Sequence, residues 1–328
     1  MGYFLRRLSF YLVALLVAAT LNFIIPRAMP GDPVTMMFAN ATVQVTPERI
    51  AAMKELLGFV DGPIYIQYLS YIKNILSWEL GTSIQFYPLS VNTLLGNAFG
   101  WSLFLAGTAV VLSFSIASVL GIFAAWKRGS KYDAFVTPGT LIIQAIPQMV
   151  IAMLALFTFA IGLKWFPSGY AYTPGVIPDW TSWEFIKNVG YHAILPLFCA
   201  TIVQIGGFLV NMRNNMINLL AEDYITMAKG KGLSENRVVF NYAARNALLP
   251  SVTALSMSLG MAIGGQLIIE MIFNYPGLGT VLLNAIHSRD YQVLQGQLII
   301  MTMFMLCFNL MADMLYMILD PRLRKGGK

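Results

Sequence analysis

Few residues of this 328-residue chain have the type and spacing that chemistry requires. The two histidines are not spaced as metal ligands, and Cys199 and Cys307 sit alone inside apolar runs. They suggest neither a metal site nor a disulfide framework, and the cysteines read as small buried hydrophobes. Gly230-Lys-Gly-Leu-Ser234 superficially matches a phosphate-binding loop. It lacks the motif's earlier glycine, and Gly232 follows the lysine where Ser or Thr is required. The glycines read instead as helix breakers. No paired carboxylates, zinc-protease pattern or nucleophile–base set is visible, so catalytic, cofactor-binding and metal residues are all expected to be none. Charged side chains inside apolar runs remain, because holding an ion in lipid is costly and needs a reason. Asp313 has Asn309 one turn before it and Tyr316 one turn after. It could relay protons, as in an ion-coupled transporter, or serve as a structural hydrogen-bonded group, the plainer reading. Glu270 reads as an anchor between its helix and an outer loop. Gly260 and Gly264, with Gly265, let a neighbouring helix approach closely, for packing or as a gate.

The strongest constellation is a polar, basic stretch at 221–250 between two apolar runs. Glu222 and Asp223 suit the positive end of a short helix. Tyr224, Met227 and Ala228 recur at three- and four-residue spacing and predict one contact face. Gly230 and Gly232 end that helix. Ser234 is a good N-cap for a second helix from Glu235 to Asn246, and Pro250 begins the next apolar run. A short exposed helix of this kind either anchors its loop to a surface or acts as a knob in a partner's groove.

The elements that carry these residues are membrane spans. The chain is 57% hydrophobic and 11% charged, whereas soluble domains carry about 25% charged residues. A span needs about 20 mostly apolar residues, which predicts six: 8–27, 101–126, 134–163, 191–212, 248–272 and 297–319. The first reads as an uncleaved span, since no small-residue cleavage site follows it cleanly. With the N-terminus inside, the inner segments are 1–7, 127–133, 213–247 and 320–328. They hold 14 of the 21 basic residues, the bias expected of cytoplasmic loops. Both termini and the 221–250 stretch are therefore expected in the cytoplasm. The net charge of +6 needs no nucleic acid.

The chain thus reads as a single all-α integral membrane domain over 1–328. It has an extracytoplasmic insertion at 28–100 and a cytoplasmic loop at 213–247. The insertion opens on a Pro30-Gly-Asp-Pro33 turn, continues through an N-cap at Thr46 into a helix over Ile50–Leu57, and includes an amphipathic interfacial run from Ile64 to Leu80. A second outer loop, 164–190, is rich in Trp and Tyr, which suits the membrane boundary or a substrate path.

These motifs resemble a family. Pro30-Gly-Asp-Pro33, Gln67-Tyr68, Trp165-Phe-Pro167, His192-Ala-Ile-Leu-Pro196 and Asp223-Tyr224 occur in its order. Ala228-Lys-Gly-Lys-Gly-Leu-Ser234, Arg245-Asn-Ala-Leu-Leu-Pro250, Glu270-Met-Ile-Phe273 and Tyr275-Pro-Gly-Leu-Gly279 follow. Arg289-Asp-Tyr291, Gln295-Gly296, Asn309-Leu310 and Asp320-Pro-Arg322 complete the set. Over nearly its whole length the chain resembles the oligopeptide-permease B family, permease subunits of the peptide/nickel/oligosaccharide class of ABC importers. Within the general coupling motif, Thr226 replaces the usual glutamate, and Gly230 stands where many relatives have alanine.

The resemblance implies a multi-pass protein of a prokaryotic inner membrane, bathed in lipid. It would work with a second permease, two ABC ATPases and an extracytoplasmic binding protein. ATP and Mg would act on the ATPases, with no cofactor in this chain. The coupling residues would be Glu222, Asp223, Tyr224, Met227, Ala228 and Gly232. Oligopeptides or dipeptides are the favoured cargo and plant-type oligosaccharides the alternative. Nickel is disfavoured by the lack of a His or Met cluster.

Overall fold

The computed structural model describes residues 2–28, 46, 48, 62–262 and 266–319. The Pro30–Pro33 turn and the Ile50–Leu57 helix lie outside the described residues, as does Gly264. Among the described residues every element is helical, and the one β-type contact is an isolated bridge between Thr82 and Ser90.

The chain divides into two units, one formed by 1–102 with 276–306 and the other by 103–275 with 307–328. The first unit contains α1 (Gly2–Ala28), α2 (Ile64–Leu76), α11 (Leu278–Ser288) and the first parts of α3 (Val91–Trp126) and α12 (Tyr291–Leu319). α1 is apolar along its length and largely exposed, as a helix facing lipid or another subunit should be. α2 matches the expected amphipathic run. Its Tyr68 and Tyr71 rings pack on Phe23 of α1, and the Tyr68 hydroxyl meets that of Thr20 at 2.8 Å. The core of this unit gathers Val91, Leu95, Leu278, Ala285, Leu294 and Ile299.

At one corner of this unit, the buried carboxylate of Asp290 organises a turn. Its Oδ2 accepts from Ser83 Oγ at 2.6 Å, Ile84 N at 2.8 Å and Gln85 N at 3.1 Å. Its Oδ1 accepts from Val293 N at 3.3 Å, capping the start of α12. Gln292 Oε1 accepts from Thr82 N next to it. The 80–90 loop is thereby fixed to the corner between α11 and α12.

The second unit holds the longest helices. α6 (Trp183–Leu220) has 38 residues and α3 has 36, so each reaches roughly 55 Å, well beyond a hydrocarbon layer about 30 Å thick. The predicted fourth span, 191–212, is thus the middle of a longer rod. The predicted third span, 134–163, is not continuous. It is α4 (Lys131–Ala145) followed by α5 (Gln148–Ala155), whose last turns to Gly162 widen into π-helix, with a bend of 92° between the two. Pro147 causes the break. Its ring disfavours a helical conformation in the residue before it, and Ile146 is extended with ψ 129.

The second helix expected within 221–250 also differs from expectation. A short helix, α8 (Glu235–Arg237), passes through a π-helical stretch, Val238–Ala244, straight into α9 (Arg245–Ala262). Pro250 lies inside this rod and does not begin it. The fifth span, predicted over 248–272, also includes α10 (Leu267–Ile272). α9 opens on Arg245-Asn246 and carries several hydroxyl side chains, and it is not among the helices apolar enough to span alone. Against six predicted spans, four described helices qualify by length and apolar content, or five if α4 and α5 form one.

Two glycines explain how closely these helices pack. A Cβ on Gly121 of α3 would lie 2.8 Å from the Leu209 carbonyl of α6, and one on Gly206 of α6 would lie 2.8 Å from the Thr140 carbonyl of α4. No side chain fits at either crossing. Gly260 is buried within α9.

Candidate functional site: a helical platform at the ends of α3 and α6

α6 ends at Leu220, and after two residues the chain turns into α7 (Asp223–Gly230). α7 has eight residues, far short of the ~12–15 that an isolated helix needs in water. Packing must hold it. Ile225, with no exposed surface, and Ala228, 5% exposed, point into the chain. They join Ile122 and Ala125 from α3, Met212 and Met216 from α6, and Val238, Val239, Ala243, Ala244 and Ala247 from the following rod. This cluster welds α7 to three helices at once.

The predicted contact face of Tyr224, Met227 and Ala228 is therefore divided. Ala228 is spent on the internal cluster. Tyr224 is half-buried, and its hydroxyl accepts from Asn246 Nδ2 at 3.2 Å. Met227 is 62% exposed. It shares the outward side of α7 with Asp223, Thr226 and Gly230, all exposed, at the spacing of one helix face. Glu222 takes the N-cap position in extended conformation without a side-chain cap bond, and Gly232, at φ +75, turns the chain after Lys231. Ser234 stands at the N-cap of the next helix, also without a side-chain bond.

Two further contacts brace the platform. Trp126, at the end of α3, donates its indole N–H to Glu235 Oε1 at 2.8 Å. Its ring and that of Phe123 meet Phe240 at about right angles. Just beyond α3, Arg213 of α6 grips Asp133 of α4 through two parallel bonds of 2.7 Å, Nε to Oδ1 and Nη2 to Oδ2. This fork geometry is the strong form of the ion pair. Asp133 also accepts from Thr137 Oγ1 at 2.9 Å and Gly129 N at 3.2 Å, so its lone pairs are used. The ends of α3, α4 and α6 are thus tied together beneath α7. Around them Lys127, Arg128, Lys131, Lys229, Lys231 and Arg237 are exposed.

Neither Glu270 nor Asp313 belongs to the cluster that holds α7. Glu270 is fully buried in α10 beside Tyr275. Attachment to the 164–182 loop is made nearby by backbone. Tyr170 N donates to Phe273 O at 2.8 Å, and Gly169 packs so closely on that carbonyl that a Cβ would stand 2.6 Å away. Asp313 is half-buried in α12. In the aromatic-rich 164–190 segment Trp165, Tyr170 and Trp183 are exposed, while Tyr172 and Trp180 both pack edge-on against Phe185.

Sequence reasoning missed Ile225, Trp126 and the Asp133–Arg213 pair. Ile225 shares the three-residue spacing with Ala228 and was legible as the start of an inward stripe. Asp133 and Arg213 are 80 positions apart, each at the edge of an apolar run, where a charge reads only as a topology marker.

Comparison with known proteins bears on this arrangement. Residues 117–325 match the family described as binding-protein-dependent transport system inner membrane component, and residues 1–99 match its N-terminal companion family. The oligopeptide transport system permease protein AppB of Bacillus subtilis is 33% identical over 98% of this chain and 99% of its own length. The dipeptide transport system permease protein DppB of the same organism is 30% identical over 99% of both chains. The oligopeptide transport system permease protein OppB of Haemophilus influenzae is 30% identical over 97% of this chain and 98% of its own. With its several apolar helices, the chain belongs to the binding-protein-dependent inner membrane components, the multi-pass permeases of ABC transporters.

Proposed function

We propose that this chain is one of two permease subunits of an ATP-driven, binding-protein-dependent importer of short peptides. The observation that carries the reading is α7, a helix too short to stand alone, whose inward side chains are locked to α3, α6 and the Glu235–Ala262 rod while Met227 faces outward. Two ATPase subunits bind ATP and Mg and close on each other. The ATPase beside this chain carries α7 with it, and Ile225 and Ala228 pass the displacement to the ends of the long helices. A second permease completes the path, and an extracytoplasmic binding protein delivers cargo above it. The peptide reading draws on the permeases AppB, DppB and OppB, which are named for oligopeptide and dipeptide transport. Both termini and α7 lie in the cytoplasm in this reading, which the exposed basic residues around the platform support.

The test is uptake of labelled short peptides into liposomes containing the assembled transporter. Uptake should require ATP and the binding protein and persist when ionophores collapse proton and sodium gradients. Uptake that needs a gradient and no ATP would point to ion coupling, and uptake of oligosaccharides alone would replace the cargo. A cysteine introduced by Ser234→Cys should react with impermeant reagents from the cytoplasmic side, and labelling from outside would overturn the topology.

A further inference from the structure

Two helices of the second unit begin at neighbouring points, and they are joined where they do. α5 starts at Gln148, directly after the Pro147 bend, and α10 starts after Gln266, which serves as its N-cap. Gln148 Nε2 donates to Gln266 Oε1 at 3.0 Å. Gln266 is 8% exposed. Gln144, across the bend from Gln148, lies against Gly206 of α6, where an added Cβ would be 2.5 Å from its Oε1. Two neutral amides thus meet across the start of α5 and the start of α10, with a third, Gln144, on the helix before the bend.

An amide costs less to hold in an apolar layer than an ion, but each N–H and C=O there still needs a partner. Non-helical backbone at membrane depth persists only when buried in protein or lining a watered path. A clasp made of one amide donor and one amide acceptor has a specific consequence at such a place. A peptide group carries the same donor and the same acceptor. A peptide backbone inserted between the two can accept from Gln148 through a C=O and donate to Gln266 through an N–H, leaving neither glutamine unpaired.

We propose that Gln148 and Gln266 form an amide clasp on the transport path, opened when a peptide backbone inserts between them, its C=O accepting from Gln148 and its N–H donating to Gln266. This rests on the peptide-import reading and adds residues of the permease that touch the cargo.

The assembled transporter in liposomes, with ATPases, binding protein, ATP and short alanine peptides, supplies the test. Gln148→Leu and Gln266→Leu singly each orphan an amide, whereas the double variant leaves none. Replacing both partners of a buried hydrogen bond by apolar groups of similar shape is close to neutral for structure. A merely structural clasp is therefore restored in the double variant. The clasp predicts a double variant that assembles and keeps wild-type basal ATP hydrolysis but loses about tenfold or more of its peptide uptake. Wild-type uptake by the double variant would overturn it. Gln148→Cys with Gln266→Cys gives a reading independent of those substitutions. A short, reducible thiol crosslinker should stop uptake and reductant should restore it, while undiminished uptake through the crosslinked complex would also overturn the clasp. Failure of the unmodified transporter to take up any of these peptides would remove the import reading and the clasp together. Uptake by wild type and double variant alike would remove the clasp alone.

Discussion

Ile225→Ala is the substitution that should separate α7 from the rest of the protein. Ile225 has no exposed surface and, with Ala228, supplies the buried side chains of α7. Truncating a buried isoleucine to alanine costs about 2–5 kcal/mol, the upper part when the surroundings cannot collapse into the cavity. The surroundings here are Met212, Met216, Val238 and Val239, all buried. Their methionines can partly refill the space, so about 3 kcal/mol is the reasonable figure. Eight residues have no helical stability of their own to set against that loss. Since about 1.4 kcal/mol is a factor of ten, the docked population of α7 should fall roughly a hundredfold relative to its undocked forms. The membrane helices keep their own contacts, including the Asp133–Arg213 pair and the Gly121 and Gly206 crossings. The assay is the ratio of peptide taken up to ATP hydrolysed in proteoliposomes, beside amide exchange across 223–230. The expected result is rapid exchange in α7, ATP hydrolysis without stimulation by loaded binding protein, and little uptake. Rapid exchange in α7 with a normal transport ratio would refute the reasoning, because displacement would then be reaching the spans by another route.

Three other perturbations probe the elements that support this one. Arg213→Met leaves the Asp133 carboxylate without its cation, and breaking a largely buried pair from one side costs about 3–5 kcal/mol; thermal unfolding in detergent should move down by several degrees, and the double variant with Asp133→Leu should recover much of it. Gly206→Leu inserts a side chain where a Cβ already meets the Thr140 carbonyl at 2.8 Å, so α4 and α6 must separate, with lower yield of assembled transporter in membranes and a lower melting temperature. Asp290→Ala removes the acceptor of four hydrogen bonds to Ser83, Ile84, Gln85 and Val293, each to a charged acceptor worth about 1.5–3 kcal/mol. Amide exchange at Ile84 and Gln85 should accelerate more than a hundredfold while α7 stays protected.

The sequence was most legible where a single periodicity or a single steric rule operates. α2, α7 and the turn at Gly232 follow from apolar spacing and glycine placement, and the structure has them close to the expected bounds. Pro147 is a warning in the opposite sense. Composition over 134–163 is continuous in its apolar character, so a window reading spans it, yet one proline turns the chain through 92°. Pro250 produced the reverse error, since a rod beginning fifteen residues earlier carries it in its interior. The candidate site was half legible. Position and polarity of 221–250 mark the platform, but which side of α7 faces inward depends on Met212, Val238 and Ile122, supplied by three other elements. The Gly260-x-x-x-Gly264 stripe reaches outside the described residues, and the tight crossings at Gly121 and Gly206 carry no Gly-x-x-x-Gly spacing. Such crossings are set by the partner helix, which a local pattern does not contain.

The central claim is that the outward side of α7 meets an ATPase subunit. Met227 is the most direct probe, being 62% exposed on α7 while its neighbours Ile225 and Ala228 are buried. Met227→Cys, treated with a short bifunctional crosslinker in native membranes and followed by mass spectrometry of the adduct, measures that contact. The account predicts a crosslink to an ABC ATPase whose yield changes when ATP is bound. A Met227→Cys chain that crosslinks to no ATPase, in membranes where that transporter is shown to be assembled, would contradict it.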